Sequence, residues 1–357
     1  MCDSNLNISQ TPTLLPASRL ALICLLGLSF FASAAATSAS LPVKFKGVNI
    51  SGGEYNGSKP NGRLNYEYTY PANAEIDYYA AKGMNVIRVP FSGARVQPIN
   101  NAALSVSEIA NLQKVITYSA SKGVNVILDP HDYGSKYDSV SGTMKLIGVP
   151  GGVPSADFAD FWKRLAIAFK SQPNVIFALM NEPNQQTPVQ WKAVASDAVA
   201  AIRSTGATQK ILIPGTSWTG AHSWVSSGNA AAWTGFTDPA NNFAFEVHQY
   251  LDSNNSGTSD VCVLGKGKDV LNSATLWART NHVELFLAEA GWSKNATCLN
   301  EGAAMMNYTS ANADVWAGWT YWSGGSWWPQ TYMYLLTPAS LTSPVDKPQM
   351  GALLNSL

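Results

Sequence analysis

A single (β/α)8 barrel of the α/β class is the fold this sequence predicts, and three observations predict it. Eight short runs rich in Val, Ile, Leu and aromatics alternate with longer stretches of helical apolar spacing, the pattern of a parallel sheet with crossover helices. Each run is continuously apolar, as strands covered on both faces are. The 357 residues accommodate one barrel with its loops, without an internal repeat or linker. An open doubly wound sheet is the alternative, but no G-x-G-x-x-G follows the first run.

The strands are expected at 44–50, 84–91, 124–131, 175–183, 210–216, 243–250, 284–290 and 315–323. Helices are expected at 72–82, 107–122, 155–171, 188–204, part of 221–232, 269–281 and 301–311. Lys82-Gly83, Lys122-Gly123 and Thr205-Gly206 each set Gly just past a helix, where a left-handed cap turns the chain toward the next strand.

Residues 1–36 read as a cleaved export signal. Arg19 precedes an apolar run from Leu20 to Phe31, and small residues follow, with cleavage after Ala34 or Ala36 fitting the A-x-A rule. The run is shorter than the roughly 20 residues that span a bilayer, so no membrane attachment is expected after cleavage. Residues 37–357 are then one secreted, extracellular domain, expected to be a monomer. Lys+Arg and Asp+Glu number 23 each, and losing the signal removes Asp3 with Arg19, so the charge stays at zero. That balance argues against a nucleic-acid partner.

Cys2 and Cys24 leave with the signal, and Cys262 and Cys298 remain. An even pair in an oxidising compartment favours a disulfide, with two unpaired buried thiols as the alternative. No C-x-x-C or H-E-x-x-H spacing is present, so no metal is expected, and no cofactor.

Polar residues at the carboxyl ends of barrel strands point into the mouth where barrel enzymes do their chemistry. Here those ends carry Arg88, Asp129, His131, Asp132 and Tyr133, then Asn181 and Glu182, then Glu246, His248 and Tyr250, and finally Glu289 and Trp322. Glu182 and Glu289 close strongly apolar strands. Two carboxyls from different strands facing one cavity suit glycoside hydrolysis, in which one gives a proton and the other attacks or activates water. For either alone, a structural ion pair with Arg88 is the competing reading. Trp218, Trp292, Trp322, Trp327 and Trp328 are expected in loops on the rim, where indoles stack on sugar faces, whereas Trp162, Trp191 and Trp277 belong to helices and the core.

The segments GVNISGGE, NVIRVPFSG, NVILDPHDYG, FALMNEPN, FEVHQYLDSNNSGT, LAEAGW and GWTYWSGG, in this order, resemble the cellulases of glycoside hydrolase family 5. The resemblance spans the chain after the signal. It implies a retaining endo-β-1,4-glucanase with Glu182 as acid/base and Glu289 as nucleophile, acting on β-glucan without a cofactor. Arg88 and Tyr250 would hold Glu289 ionised, Asn181 would bind the 2-hydroxyl, His131 and His248 would complete the hydrogen-bonding shell, and Trp322 would floor the site. Tyr133, Trp218 and Trp292 join them as substrate contacts. The Ala-Gly-Trp after Glu289 leaves the glucan open, with a β-mannanase or mixed-linkage glucanase as alternatives and a glucan-binding protein as the non-enzymatic one.

Overall fold

The computed structural model describes residues 43–356, and the expected signal at 1–36 lies outside the described residues. Eight parallel strands close into a barrel: β1 (Phe45–Ile50), β2 (Val86–Phe91), β3 (Asn125–Pro130), β6 (Val175–Ala178), β7 (Ile211–Pro214), β8 (Phe243–Tyr250), β9 (Leu285–Gly291) and β10 (Trp316–Gly324), with β10 pairing back onto β1. Each overlaps an expected strand, but β6 stops at Ala178 instead of 183, so Asn181 and Glu182 lie in the segment that follows it, with Glu182 at a positive φ of 40°. An antiparallel hairpin, β4 (Ser135–Asp138) with β5 (Thr143–Leu146), projects from the β3 loop and was not expected.

Around the barrel run α1 (Asn73–Ala81), α2 (Gly93–Val96), α3 (Val106–Ser121), α4 (Ser155–Phe169), α5 (Pro188–Ser204), α6 (Asn229–Trp233), α7 (Lys266–Asn281), α8 (Ala296–Ala311) and α9 (Pro348–Leu354). The 221–232 stretch is mostly turns, with only its end helical in α6. The α8 helix starts five residues before expectation because Asn295 caps it, its side chain accepting the Cys298 N–H at 2.8 Å.

Inside the barrel, Phe45, Val86, Ile127, Ile176, Leu212, Ala244, Phe286 and Ala317 fill a floor beneath the mouth. A second, larger apolar layer lies between strands and helices. The helix indoles anchor the strand ends from that layer: Trp162 Nε1 donates to the Leu179 carbonyl at 3.1 Å and Trp191 Nε1 to that of Pro214 at 2.8 Å. Both bury a large apolar body while satisfying the one polar atom, as a core indole requires.

Candidate active site

Arg88, on β2, is fully buried at the centre of the mouth and organises four other strands. Its Nη1 faces Asn49 Oδ1 at 3.0 Å, Asp129 Oδ2 at 3.2 Å and Glu289 Oε2 at 3.5 Å. Its Nη2 donates to Glu246 Oε1 at 2.9 Å and to Asn181 Oδ1 at 3.0 Å. A buried guanidinium is stable only with such anionic company. Burial lowers its pKa, yet Asp129, Glu246 and Glu289 more than reverse this and raise it.

His248 links the two candidate glutamates. Its Nδ1 lies 2.8 Å from Glu182 Oε1 and 3.7 Å from Glu289 Oε2, and its Nε2 lies 3.1 Å from Glu246 Oε1. Carboxylates face both nitrogens, and only the imidazolium donates to both. Burial works against that charge, but Glu289, Glu182 and Glu246 prevail and push the pKa up to about 10. His131 repeats the device: burial opposes its charge, but Asp129, accepting from Nδ1 at 2.7 Å, raises its pKa.

Glu289 is surrounded by donors. Tyr250 gives its hydroxyl to Oε1, while Arg88 and His248 face Oε2. Burial nevertheless raises its pKa, with the Glu182 charge adding to this and His248, Arg88 and His131 pulling it back. Tyr250 is fixed in turn by Tyr334, stacked at 5.8 Å. One carboxylate oxygen from Glu182, one from Glu289 and one His248 nitrogen all lie within 4.8 Å of one another.

A β-bulge aims Glu289 into the mouth. Leu285 and Leu287 point outward into the helix layer, and strict alternation would send residue 289 the same way. The register slips here instead: Val247 pairs with Leu287, but the next residue, His248, pairs with Glu289. Ala288 is the extra residue, and it faces the barrel interior together with Glu289. Its carbonyl accepts from Asn49 Nδ2 at 2.9 Å and from the Thr320 hydroxyl. Bulges commonly re-aim a side chain beside a site in this way.

The slip also corrects one expectation. Past the bulge, Ala290 and Trp292 share the outward face, so Trp292 is fully buried instead of standing on the rim. Its indole meets Tyr321 edge-on at 4.9 Å and lies against Gly302 of α8.

The mouth opens into two cavities flanking the carboxylates. One, of about 570 Å³, is lined by Glu182, His248, Tyr250, Trp218, His222 and Asn255 among others. The other, of about 500 Å³, includes Glu54, Tyr55, His131, Tyr133, Trp322 and Trp328. Trp218 is 57% exposed on a left-handed turn in which Ser217, Trp218 and Thr219 all have positive φ. Trp322 stacks on His131 at 5.5 Å and donates Nε1 to the Tyr332 hydroxyl at 3.1 Å. The Trp322–Ser323 peptide is cis. Tyr133 is half-exposed, with its hydroxyl 3.3 Å from His131 Nε2. Cys262 and Cys298 form the expected disulfide, although Cys298 lies in the first turn of α8 and not in the preceding loop.

Expectation assigned no role to Asn49, Asp129 or Glu246. They are the groups that hold Arg88 and the two histidines.

A barrel with these strand-end carboxylates is the architecture of a glycoside hydrolase. A family model described as cellulase (glycosyl hydrolase family 5) matches residues 39–325. Endoglucanase gh5-1 of Neurospora crassa is 35% identical over 310 residues, covering 85% of this chain and 75% of its own. Among solved structures, XacCel5A in complex with cellopentaose is 42% identical, with a TM-score of 0.84 over 88% of this chain and 99% of that one. The endo-β-1,4-glucanase Xac0029 of Xanthomonas axonopodis pv. citri is 42% identical, with a TM-score of 0.83 over 88% and 98%. This chain belongs to the cellulase family, glycosyl hydrolase family 5.

Proposed function

We propose that the protein is an endo-β-1,4-glucanase that cleaves internal bonds of cellulose-type glucans with retention of configuration. The observation that carries this reading is the carboxylate pair. One oxygen of each lies within 4.8 Å of the other, a close approach that favours the roughly 5–5.5 Å carboxyl spacing of a retaining enzyme over the roughly 6.5–9.5 Å of an inverting one. The names of its relatives, and the cellopentaose bound to one of them, support the glucan substrate.

Roles follow from surroundings. Glu289 accepts from Tyr250 and faces Arg88, so the acceptor-only ionised form suits it, and it attacks the anomeric carbon. Glu182 borders the larger cavity and protonates the departing oxygen there, which makes that cavity the leaving-group side. In the second step Glu182 takes a proton from the water that releases the sugar from Glu289. His248 lies between the two carboxyls and stabilises whichever is ionised. Asn181 uses Oδ1 on Arg88, and its Nδ2 has no partner among the described residues, which leaves it for the sugar 2-hydroxyl. Trp322 supplies the floor on the other side, with Tyr133 and Trp328 beyond it.

Open cavities on both sides of the pair suit a chain that continues in both directions, hence internal cleavage. The disulfide and the expected signal support export, and no described helix is long and apolar enough to cross a membrane.

The test follows viscosity and reducing ends on carboxymethyl-cellulose, barley glucan and mannan, with Glu289→Gln alongside. A steep viscosity fall on the cellulose derivative, abolished in the variant, is expected. Hydrolysis of mannan alone overturns the substrate, and no hydrolysis overturns the enzyme.

A further inference from the structure

One polar chain in the wall of the leaving-group cavity takes no part in the mechanism above. Gln249, on β8, is buried, and its Oε1 accepts from the His222 backbone N–H at 2.9 Å and from His222 Nδ1 at 3.2 Å. A backbone N–H only donates, so the orientation of this amide is settled. Its Nε2 then donates to the Tyr250 carbonyl at 2.7 Å and to Asn255 Oδ1 at 3.1 Å. Lys266 Nζ reaches the same Asn255 Oδ1 at 2.8 Å and also the Ser253 carbonyl at 3.1 Å.

Each link sets the polarity of the next. Gln249 Oε1 can only accept, so His222 carries its proton on Nδ1. Burial lowers the His222 pKa, the Gln249 hydrogen bond pulls it partly back and the Lys266 charge lowers it again, so the net shift favours the neutral ring; with the proton on Nδ1, its Nε2 is a lone-pair acceptor. Asn255 Oδ1 faces two donors, which leaves Nδ2 as the donor it can offer. His222 follows β7 and Asn255 follows β8, and both line the cavity that holds Trp218. A sugar stacked on that indole turns its hydroxyls toward the walls.

We propose that His222 Nε2 and Asn255 Nδ2 form an acceptor and donor pair that reads two hydroxyls of a glucose unit on the leaving-group side. Gln249 and Lys266 are the positioning residues that fix this polarity. The inference rests on the glucanase reading and adds to it the residues that select the departing sugar. A site built to exchange hydrogen bonds with hydroxyls discriminates more sharply than an apolar one.

The experiment compares kcat/KM on cellopentaose with kcat/KM on 4-nitrophenyl β-cellobioside, whose aryl leaving group has no sugar hydroxyls. His222→Ala removes the acceptor. Asn255→Asp keeps an oxygen for Gln249 and Lys266 but exchanges the donor for an acceptor, and Asp tolerates the positive φ of 61° at this position. In each variant the ratio of the two constants, cellopentaose over aryl substrate, is expected to fall about three- to tenfold, the size of one lost hydrogen bond. An unchanged ratio, whether both constants hold or both drop together, overturns the inference and leaves the glucanase reading standing. A wild-type protein that turns over neither substrate overturns both.

Discussion

His248 donates Nδ1–H to Glu182 at 2.8 Å while its Nε2 faces Glu246 at 3.1 Å, so one buried imidazolium lies between the candidate acid and a buried anion. Replacing His248 with Ala leaves Glu182, Glu246 and Glu289 without that cation. We expect kcat on carboxymethyl-cellulose to fall about 100-fold, the scale on which groups that control catalytic protons act. Stability carries a second signature. The folded pKa of about 10 exceeds the ordinary 6.5, so the contribution of His248 is complete below pH 6.5 and is lost as pH rises through about 10. Urea unfolding across that window is expected to show the wild type losing up to about 1.4 kcal/mol per pH unit relative to His248→Ala.

Tyr250→Phe removes a donor from Glu289 and little else. Burial already raises the Glu289 pKa, so losing the hydroxyl raises it further. Because the nucleophile works ionised, the acid limb of the kcat/KM profile is expected above the ordinary carboxylate range in the wild type and higher still in the variant. A pH profile in which the two acid limbs coincide removes this role for Tyr250.

Gly302→Ala tests the burial of Trp292. A Cβ at this position would lie 2.2 Å from the indole, closer than any side chain tolerates. An exposed helical Gly→Ala change typically stabilises by about 1 kcal/mol. Here we expect a loss of about 1–3 kcal/mol from overpacking, measured by urea unfolding, with KM unchanged.

The bridge between Cys262 and Cys298 closes a loop of sequence separation 36. Chain-entropy arguments give such a loop about 3–4 kcal/mol. The double Cys→Ala variant is expected to unfold at correspondingly lower urea, and a loss of unfolding free energy under about 0.5 kcal/mol contradicts that view.

The strand-end carboxylates, Arg88 and the histidines were legible because a charge closing an apolar run needs a partner or a purpose. The bulge at Ala288 was not. ELFLAEAGW puts Leu285, Leu287 and Glu289 in one parity, and only the pairing of β9 with β8 and β10 reveals the slip that turns Glu289 inward and Trp292 outward. Asn49 was hidden for a related reason. It stands inside an apolar strand, and its work is to hold Arg88 and the Ala288 carbonyl, 39 and 239 residues away. His222 and Asn255 lie in turns, and their polarity depends on Gln249 and Lys266, which no local pattern connects to them.

Peptide mapping by mass spectrometry after incubation with 2,4-dinitrophenyl 2-deoxy-2-fluoro-β-cellobioside tests the central claim most directly. The fluorine destabilises both transition states and the dinitrophenolate leaving group keeps attack fast, so a retaining enzyme accumulates its glycosyl intermediate. A single fluorocellobiosyl adduct on the peptide containing Glu289, absent in Glu289→Gln, is the expected result. Turnover of the unfluorinated aryl cellobioside with no adduct from the fluorinated one, or an adduct on another residue, contradicts the account.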